Sequence, residues 1–431
     1  MADFQQNGNI AQFHNLRSRP LEELVYELET FSQSRRISLI LPSLYSELEG
    51  DALPNILREL SKVSYLHRII VGLDRADEAQ YRHARAFFSV LPQQTTVIWN
   101  DSPRMLQIMG RLKALGLAPQ EPGKGKNVWG CMGYLISCAD SAVMAIHDCD
   151  IVTYTREMLD RLVYPVANPT FSYQLSKGFY PRVGDNKLNG RVTRLLVSPL
   201  LIALKRTIGD RDYIDYLRAF RYPLSGEMAL RTGLLPDLRI PSDWGLEIGV
   251  LSEAWRNLGP RQVCQVEIAD VYDHKHQDLS PEDASQGLSR MSTDICKAIY
   301  RKLAADGTVF TPHVFRTLKA TYYRSALDLL EAYWADAKMN GLAIDRHAEE
   351  RSIEMFGENI VRAGQLFIEN PQETPFIPTW NRVHSADPTL LSDFRAPLAT
   401  ARNLPCSLEY KVTRRSDSPS GVFLRVNASQ R

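Results

Sequence analysis

Short apolar runs alternate with longer amphipathic ones across residues 1–150, and this alternation restricts the possible folds more than any other feature of the chain. Ile37, Ser38, Leu39, Ile40 and Leu41 form a compact run ended by Pro42, the pattern of a buried strand meeting a loop. Over 52–63, Leu53, Ile56, Leu57, Leu60 and Val63 recur at helical spacing, with Arg58, Glu59 and Lys62 on the other side. Residues 69–73 read as a second strand, 77–91 as a helix and 96–99 as a third strand. A further helix spans 103–115, with Met105, Ile108, Met109 and Leu112 facing inward. A Gly/Pro loop over 116–125 leads into a helix at 128–138, and 142–146 is the fourth strand. Strands buried on both faces and separated by helices imply a mostly parallel sheet. Such sheets bind ligands beyond the carboxyl ends of their strands, near a topological switch point. The segments in that position, 42–49, Asp74 with Arg75, and 147–150, are all polar or acidic. This is the geometry of a nucleotide site.

Farther on, 170–276 mixes short strands, such as 171–173 and 263–268, with loops and helices. After 280 the chain is almost wholly helical, with long amphipathic stretches at 282–305, 312–338 and 348–368. The tail from 370 is rich in Pro, Ser and Arg and is expected to be only partly ordered. Fifty-one basic residues stand against fifty acidic ones, a formal net charge of +1, which argues against a nucleic-acid-binding surface. The six cysteines (131, 138, 149, 264, 296 and 406) form no C-x-x-C pair, so free thiols in a reducing compartment are expected. Residues 1–14 are polar and lack the apolar core of a signal peptide, and no run of about 18 apolar residues exists. The expectation is a soluble, cytoplasmic protein without a membrane span.

Asp148-Cys149-Asp150 follows the fourth strand. A hard divalent cation needs carboxylate oxygens and usually keeps waters and phosphates as further ligands. Two aspartates at i and i+2 leaving a strand end can divide their work between metal and sugar, although such a triplet also arises by chance or caps a turn. Gly123-Lys124-Gly125-Lys126 is not a P-loop, since the earlier glycine and the hydroxyl residue are missing. A lysine in a glycine-rich loop at a helix start can still neutralise a pyrophosphate, or simply sit in a solvated loop. No G-x-G-x-x-G follows an early strand, which disfavours a dinucleotide site. Asp273-His274-Lys275-His276 offers an imidazole as a further metal ligand, or only a turn. Gly190-Arg191-Val192-Thr193-Arg194 sets two guanidiniums at a glycine-led helix start, suited to an anionic acceptor or to plain solvation. There is no G-x-S-x-G elbow of a hydrolase.

These motifs, together with Leu41-Pro42-Ser43-Leu44-Tyr45-Ser46-Glu47, Pro223-Leu224-Ser225-Gly226-Glu227 and Trp244-Gly245-Leu246-Glu247-Ile248-Gly249, occur in one order. Over about 37–280 that order resembles the glucosyl-3-phosphoglycerate synthases, retaining GT-A glycosyltransferases. The resemblance implies an α/β GT-A fold, Rossmann-like in its nucleotide-sugar binding, with a mainly helical C-terminal extension. It divides the chain into an N-terminal segment 1–35, a nucleotide-sugar-binding half 36–155, an acceptor-binding half 156–280, a helical region 281–370 and a tail 371–431. The implied reaction moves glucose from UDP-glucose, or a similar donor, to the 2-hydroxyl of 3-phosphoglycerate, making the precursor of glucosylglycerate.

The resemblance also implies roles for residues. Leu41, Pro42, Glu47, Asp74, Lys124, Asp148 and Glu247 match the donor site, and Gly190, Arg191, Val192 and Thr193 the acceptor segment. Asp148, Asp150, Arg191 and Glu247 match catalytic positions. A divalent metal, Mg2+ or Mn2+, would sit on Asp150 and His276, preferred to His274 because the following Gln-Asp-Leu keeps the better register. The long helices after 280 exceed what a GT-A core requires and are expected either to cover the core or to form the interface of a homodimer. Two features depart from the family: Cys149 replaces a small hydroxyl residue, and 72–75 lacks a serine-rich turn. Alternatives are mannosyl or other hexosyl transfer to glycerate or phosphoglycerate, and a non-catalytic nucleotide-sugar-binding protein. A nucleotidyltransferase ranks last, for want of its triphosphate loop.

Overall fold

The structure, a computed structural model, describes residues 6, 9–119, 122–274, 287–371 and 377–395. Ten strands occur in it: β1 (Ala11–Phe13), β2 (Ile37–Leu44), β3 (Leu66–Asp74), β4 (Gln94–Trp99), β5 (Val143–Ile146), β6 (Leu175–Phe179), β7 (Val183–Gly184), β8 (Lys187–Leu188), β9 (Met228–Arg231) and β10 (Val263–Glu267). Eight of them form one sheet in the order β1-β10-β6-β9-β5-β2-β3-β4, and β7 with β8 makes a separate ribbon. β5, β2, β3 and β4 run parallel, as do β1, β10 and β6. Between these groups lies β9, antiparallel to both β5 and β6. The mostly parallel sheet is therefore as expected, with one reversed strand joining its two parts.

Alternation along the strands builds two cores. Ile37, Leu39 and Leu41 of β2, Ile69, Val71 and Leu73 of β3, and Val143 and Ala145 of β5 face one side. That side is covered by α1 (Leu21–Ser34), α2 (Ala52–Leu60), α3 (Glu78–Phe88) and, later in the chain, the helix over Arg156–Ala167. Ile40, Ile70, Ile98, Met144 and Ile146 face the other side, under α4 (Pro103–Ala114) and α5 (Lys124–Cys138). After α6 (Arg156–Ala167) the same side gains α7 (Ser198–Ile208), α8 (Asp212–Ala219), α9 (Leu246–Asn257), α10 (Gly287–Ala305), α11 (Pro312–Met339) and α12 (Arg346–Glu369). The C-terminal helices match the expected ones closely, and 282–286 lie outside the described residues.

Four local expectations change. Pro42 does not end β2: it pairs with Gly72 of β3. It is tolerated because β5 has already stopped at Ile146, opposite Ile40, so that edge of the strand is free of a ladder. Residues 171–173 form no strand. Their aromatic content imitates strand propensity, but Phe171 and Tyr173 pack against Phe13, with ring centroids 6.4 and 5.4 Å apart, and the strand starts at Leu175. The helix expected at 77–91 runs over 78–88, opened by Asp77, whose carboxylate accepts from the Gln80 amide in a capping box. The fourth change positions the site: α5 begins at Lys124 rather than 128. Gly125 allows this, since a Cβ there would stand 1.9 Å from the carbonyl oxygen of Pro241. The glycines serve close backbone approach, and Lys124 becomes the first helical residue.

Beyond 370 the structure describes two short helices, α13 (Trp380–Ala386) and α14 (Thr389–Arg395). Trp380 is buried and stacks on Trp129 of α5 with centroids 4.2 Å apart. The indole of Trp129 donates to the Pro378 carbonyl at 2.9 Å, and that of Trp380 to the Trp129 carbonyl at 3.1 Å. Arg111 of α4 pairs with Asp387 and Asp393. Ile377, Val383, Leu390 and Phe394 are buried as well, so 377–395 docks through an apolar face in which Trp380 meets the helix that carries Lys124. Truncating Trp380 to Ala is expected to cost about 3–5 kcal/mol of unfolding free energy. Urea denaturation followed by far-UV circular dichroism measures this, and an unchanged midpoint would mean the segment is not docked.

Candidate active site

β5 delivers Asp148, Cys149 and Asp150 at its carboxyl end, where antiparallel β9 begins, so the 225–227 turn that enters β9 lies against them. Gly226 fills that contact: a Cβ on it would lie 2.6 Å from Asp148 Oδ2 and 2.8 Å from Lys124 Nζ. The ammonium of Lys124 stands 2.6 Å from Asp148 Oδ1 and 3.2 Å from Glu247 Oε1. Asp148 leaves a strand, Lys124 opens α5 and Glu247 lies in the first turn of α9, so three elements meet at one ion-pair cluster.

Burial opposes the charge on Lys124, but Asp148 and then Glu247 hold its pKa above the usual lysine value. Burial likewise pushes Asp148 up, and Lys124 more than offsets it, leaving this carboxyl below its ordinary range. Asp150 gains no such partner, and burial together with the Asp148 charge raises it to about 7. Glu227 is completely buried and accepts from the hydroxyls of Tyr180 at 2.6 Å and Tyr272 at 2.7 Å. Those two rings stack 3.6 Å apart and almost parallel, at 4°. Lys177 of β6, also buried, donates to the Ser225 carbonyl and so ties down the 225–227 turn; burial lowers its pKa to about 8. Lys124 and Lys177 thus face the carboxylates of Asp148, Asp150, Glu227 and Glu247, and the acidic groups outnumber the basic ones.

The 271–274 segment crosses over Asp150. Val152 donates its amide to the Asp273 carbonyl at 2.9 Å, and His274 bridges to Ile151. This sets His274 Nδ1 3.6 Å from Asp150 Oδ2, while Asp150 Oδ1 is buried without a hydrogen-bond partner among the described residues. His276, the histidine preferred from the sequence, lies outside the described residues. Among the described residues no three His, Cys, Asp or Glu side chains converge as a ready metal cage. Asp148 is drawn aside to Lys124, which leaves Asp150 and His274 as the pair nearest to one. His147, though adjacent, is buried against Tyr154 and burial drops its pKa to about 3, so it is a neutral core residue.

The other donor-site positions lie along the same edge. Leu41 is core, Pro42 continues β2, and Glu47 sits in the 3-10 turn Tyr45–Glu49 that follows it. Asp74 ends β3 with both oxygens engaged, by Asn100 at 2.7 Å and Asn127 of α5 at 3.0 Å. At the acceptor positions, Gly190 adopts a left-handed φ of 76°, which turns the chain into Arg191 and the π-helical turn Val192–Val197 ahead of α7. Val192 and Thr193 are buried. Arg194, read from the sequence as a second exposed guanidinium, is instead buried on Glu349 of α12 at 2.7 Å, and Arg191 Nε reaches the same carboxylate at 3.0 Å. Arg182 connects this segment to the cluster: it packs beside Gly190 and lies over the ring of Tyr272, 5.7 Å from its centroid.

Sequence reasoning assigned no role to Glu227, Lys177, Asn127 or Glu349. Glu227 stood in a motif that the order of motifs had already singled out. Lys177 and Glu349 left no local signal, because their importance comes from partners 48 and 155 residues away.

No protein-family model matches the chain. It is 46% identical over 390 residues to the glucosyl-3-phosphoglycerate synthase of Persephonella marina, covering 90% of this chain and 96% of that protein. With the synthase of Methanococcoides burtonii it shares 37% over 374 residues, 86% and 91% of the two chains. Among solved structures, a Mycobacterium tuberculosis glucosyl-3-phosphoglycerate synthase in complex with Mn2+, UDP-glucose and phosphoglyceric acid superposes with a TM-score of 0.50 at 23% identity, covering 68% and 88%. The mannosyl-3-phosphoglycerate synthase of Rubrobacter xylanophilus does so with a TM-score of 0.51 at 18% identity, covering 70% and 83%. At these identities the two structures speak to the fold, and they bear out the GT-A architecture. From the similarity to its sequence relatives across nearly the whole length, the chain belongs to the glucosyl-3-phosphoglycerate synthase family.

Proposed function

We propose that this chain transfers glucose from UDP-glucose to the 2-hydroxyl of 3-phosphoglycerate with retention, forming glucosyl-3-phosphoglycerate and UDP. The observation that carries the reading is the 46% identity, over 90% of the chain, to an enzyme of that name. The Lys124–Asp148–Glu247 cluster at the carboxyl ends of the strands supports it.

The excess of carboxylates over lysines makes the site hostile to a diphosphate unless further positive charge is supplied. A divalent cation, Mg2+ or Mn2+, fits that need, because Asp150 keeps a buried oxygen without a hydrogen-bond partner among the described residues. Asp150 would hold it together with His274, whose ring nitrogen already faces that carboxylate. When bound, such an ion offsets the charge of the departing diphosphate.

The chain's own side chains do the rest. Lys124 turns its ammonium toward the diphosphate and holds the carboxylates of Asp148 and Glu247 in place as acceptors for the sugar's hydroxyls. Arg191 and Thr193 orient the acceptor's phosphate and carboxylate. Asp148 and Glu247 share Lys124, and Glu227 is bound by two tyrosines, so none of the three is free to act as a covalent nucleophile. The reading is therefore front-face transfer: the glucose C1–O bond to UDP breaks, the acceptor oxygen bonds to C1 on the same face, and its proton passes to the departing phosphate oxygen. A glucosyl ester trapped on any carboxylate during turnover would contradict it. The same reading has the enzyme act as a cytoplasmic homodimer. It is supported by the free cysteines and by exposed apolar side chains on α11 and α12, such as Trp334, Met339 and Leu366. Among the described residues, no helix is long and apolar enough to cross a membrane.

Two outcomes follow for transfer assayed with a panel of nucleotide sugars and both glycerate and 3-phosphoglycerate as acceptors. Asp150→Ala should lower metal-dependent transfer by about 100-fold or more while the thermal midpoint holds, since the variant removes a half-buried, repelled carboxyl; full activity in excess chelator would exclude the metal role. Gly226→Ala should force Asp148 and Lys124 apart and raise the donor KM about tenfold, and an unchanged donor KM would show that this contact does not organise the donor site.

A further inference from the structure

Glu349 lies well beyond the last of the GT-A motifs, which ends at His276, yet it is buried beside the acceptor segment with only 2% exposure. The Asp345 carboxylate accepts from the Ala348 amide and so starts α12, which puts Glu349 in the first helical turn, where the helix dipole favours a carboxylate. Both of its oxygens are used: Oε2 accepts from Arg194 Nη1 at 2.7 Å, and Oε1 from Arg191 Nε at 3.0 Å and Arg194 Nη2 at 3.3 Å.

The two arginines end in different situations. Arg194 is committed within the protein: its Nε donates to the Asn189 carbonyl, Nη2 to that of Leu188, and its guanidinium lies 5.1 Å from the Tyr333 ring centroid. Among the described residues Arg191 is bonded only through Nε, and its side chain stays 35% exposed. One carboxylate balances two guanidiniums, so one unit of positive charge is left over, and it rests on the arginine that solvent can reach. A guanidinium is a rigid planar fork, so fixing Nε also fixes the direction of the Nη1/Nη2 edge, the edge that meets a phosphate or carboxylate with two parallel hydrogen bonds.

We infer that Glu349, supplied by the helical C-terminal region, is a positioning residue that holds Arg191 by its Nε and aims the outer edge of that guanidinium at the acceptor's phosphate or carboxylate. The helices beyond the GT-A core thereby take part in acceptor recognition. This inference rests on the proposed reading that Arg191 contacts the acceptor.

Steady-state kinetics of the full chain with UDP-glucose and 3-phosphoglycerate test it through Glu349→Gln, Arg191→Ala and the double variant. Glu349→Gln should raise the acceptor KM about tenfold with the donor KM unchanged, and should add nothing in the Arg191→Ala background. A fall in kcat and thermal midpoint with the acceptor KM unchanged would make Glu349 purely structural and overturn the inference. An equal rise of the acceptor KM in both backgrounds would also overturn it, leaving the role of Arg191 intact. If Arg191→Ala itself leaves the acceptor KM unchanged, the reading of Arg191 fails and takes the inference with it. Should the Gln variant not fold, Glu349→Asp keeps the charge for Arg194 while retracting the carboxylate by about 1.5 Å. It should show the same selective rise in acceptor KM, and its absence would contradict the inference.

Discussion

The ammonium of Lys124, held between Asp148 and Glu247, is the interaction on which the rest of the site depends. It joins a strand end, the first turn of α5 and the first turn of α9, three elements that no continuous stretch of chain brings together. Both charges are half-buried, so removing one member leaves its partner uncompensated in a poorly solvated site. The surrounding geometry serves this contact. Gly125 lets α5 approach the 241–242 backbone closely enough for Lys124 to reach Asp148, and Gly226 leaves the space in which the two charges meet. Below them, buried Lys177 holds the 225–227 turn by its Ser225 carbonyl.

Around that pair the site is assembled with more negative than positive groups, and the carboxylates are handled in different ways. Asp148 and Glu247 share the one ammonium of Lys124, and Glu227 accepts from two tyrosine hydroxyls. Burial and the charge of Asp148 raise both Glu227 and Asp150, but Glu227 has the two tyrosine hydroxyls, whereas Asp150 has no such donors among the described residues and its pKa rises to about 7. A buried oxygen without a hydrogen bond is costly unless some other partner satisfies it. The ordering of the four carboxylates therefore distinguishes those that organise the site from the one that suits a cation. The helical C-terminal region enters the same network from the other side, through Glu349 and the two arginines it pairs.

Much of this was legible in the sequence, because it rests on local patterns. Apolar periodicity placed β2 to β5 and the long C-terminal helices, since burial on one or both faces dictates which positions must be apolar. The acidic triplet announced itself by following a strand. What the sequence did not disclose depends on distant partners or on competition between local signals. Phe171 and Tyr173 have the composition of a strand, and packing against Phe13 outweighs it. The glycines of 123–125 read as a loop, although their purpose is close backbone contact inside a helix start. The burial of Arg194 depends on Glu349, 155 residues on, and nothing near Arg194 signals it. Of the two candidate histidines, His274 faces Asp150, while His276, which register favoured, lies outside the described residues.

The claim at the centre of this account is that the Lys124 cluster serves sugar transfer onto a small phosphorylated acid, with the donor's configuration retained. Proton NMR of the purified protein incubated with UDP-glucose, 3-phosphoglycerate and Mg2+ tests this directly. The account predicts equal amounts of UDP and a glucosyl-3-phosphoglycerate whose anomeric proton carries the small coupling of an α-linkage. A β-linked product, or hydrolysis of UDP-glucose without any glycoside to 3-phosphoglycerate, would contradict it.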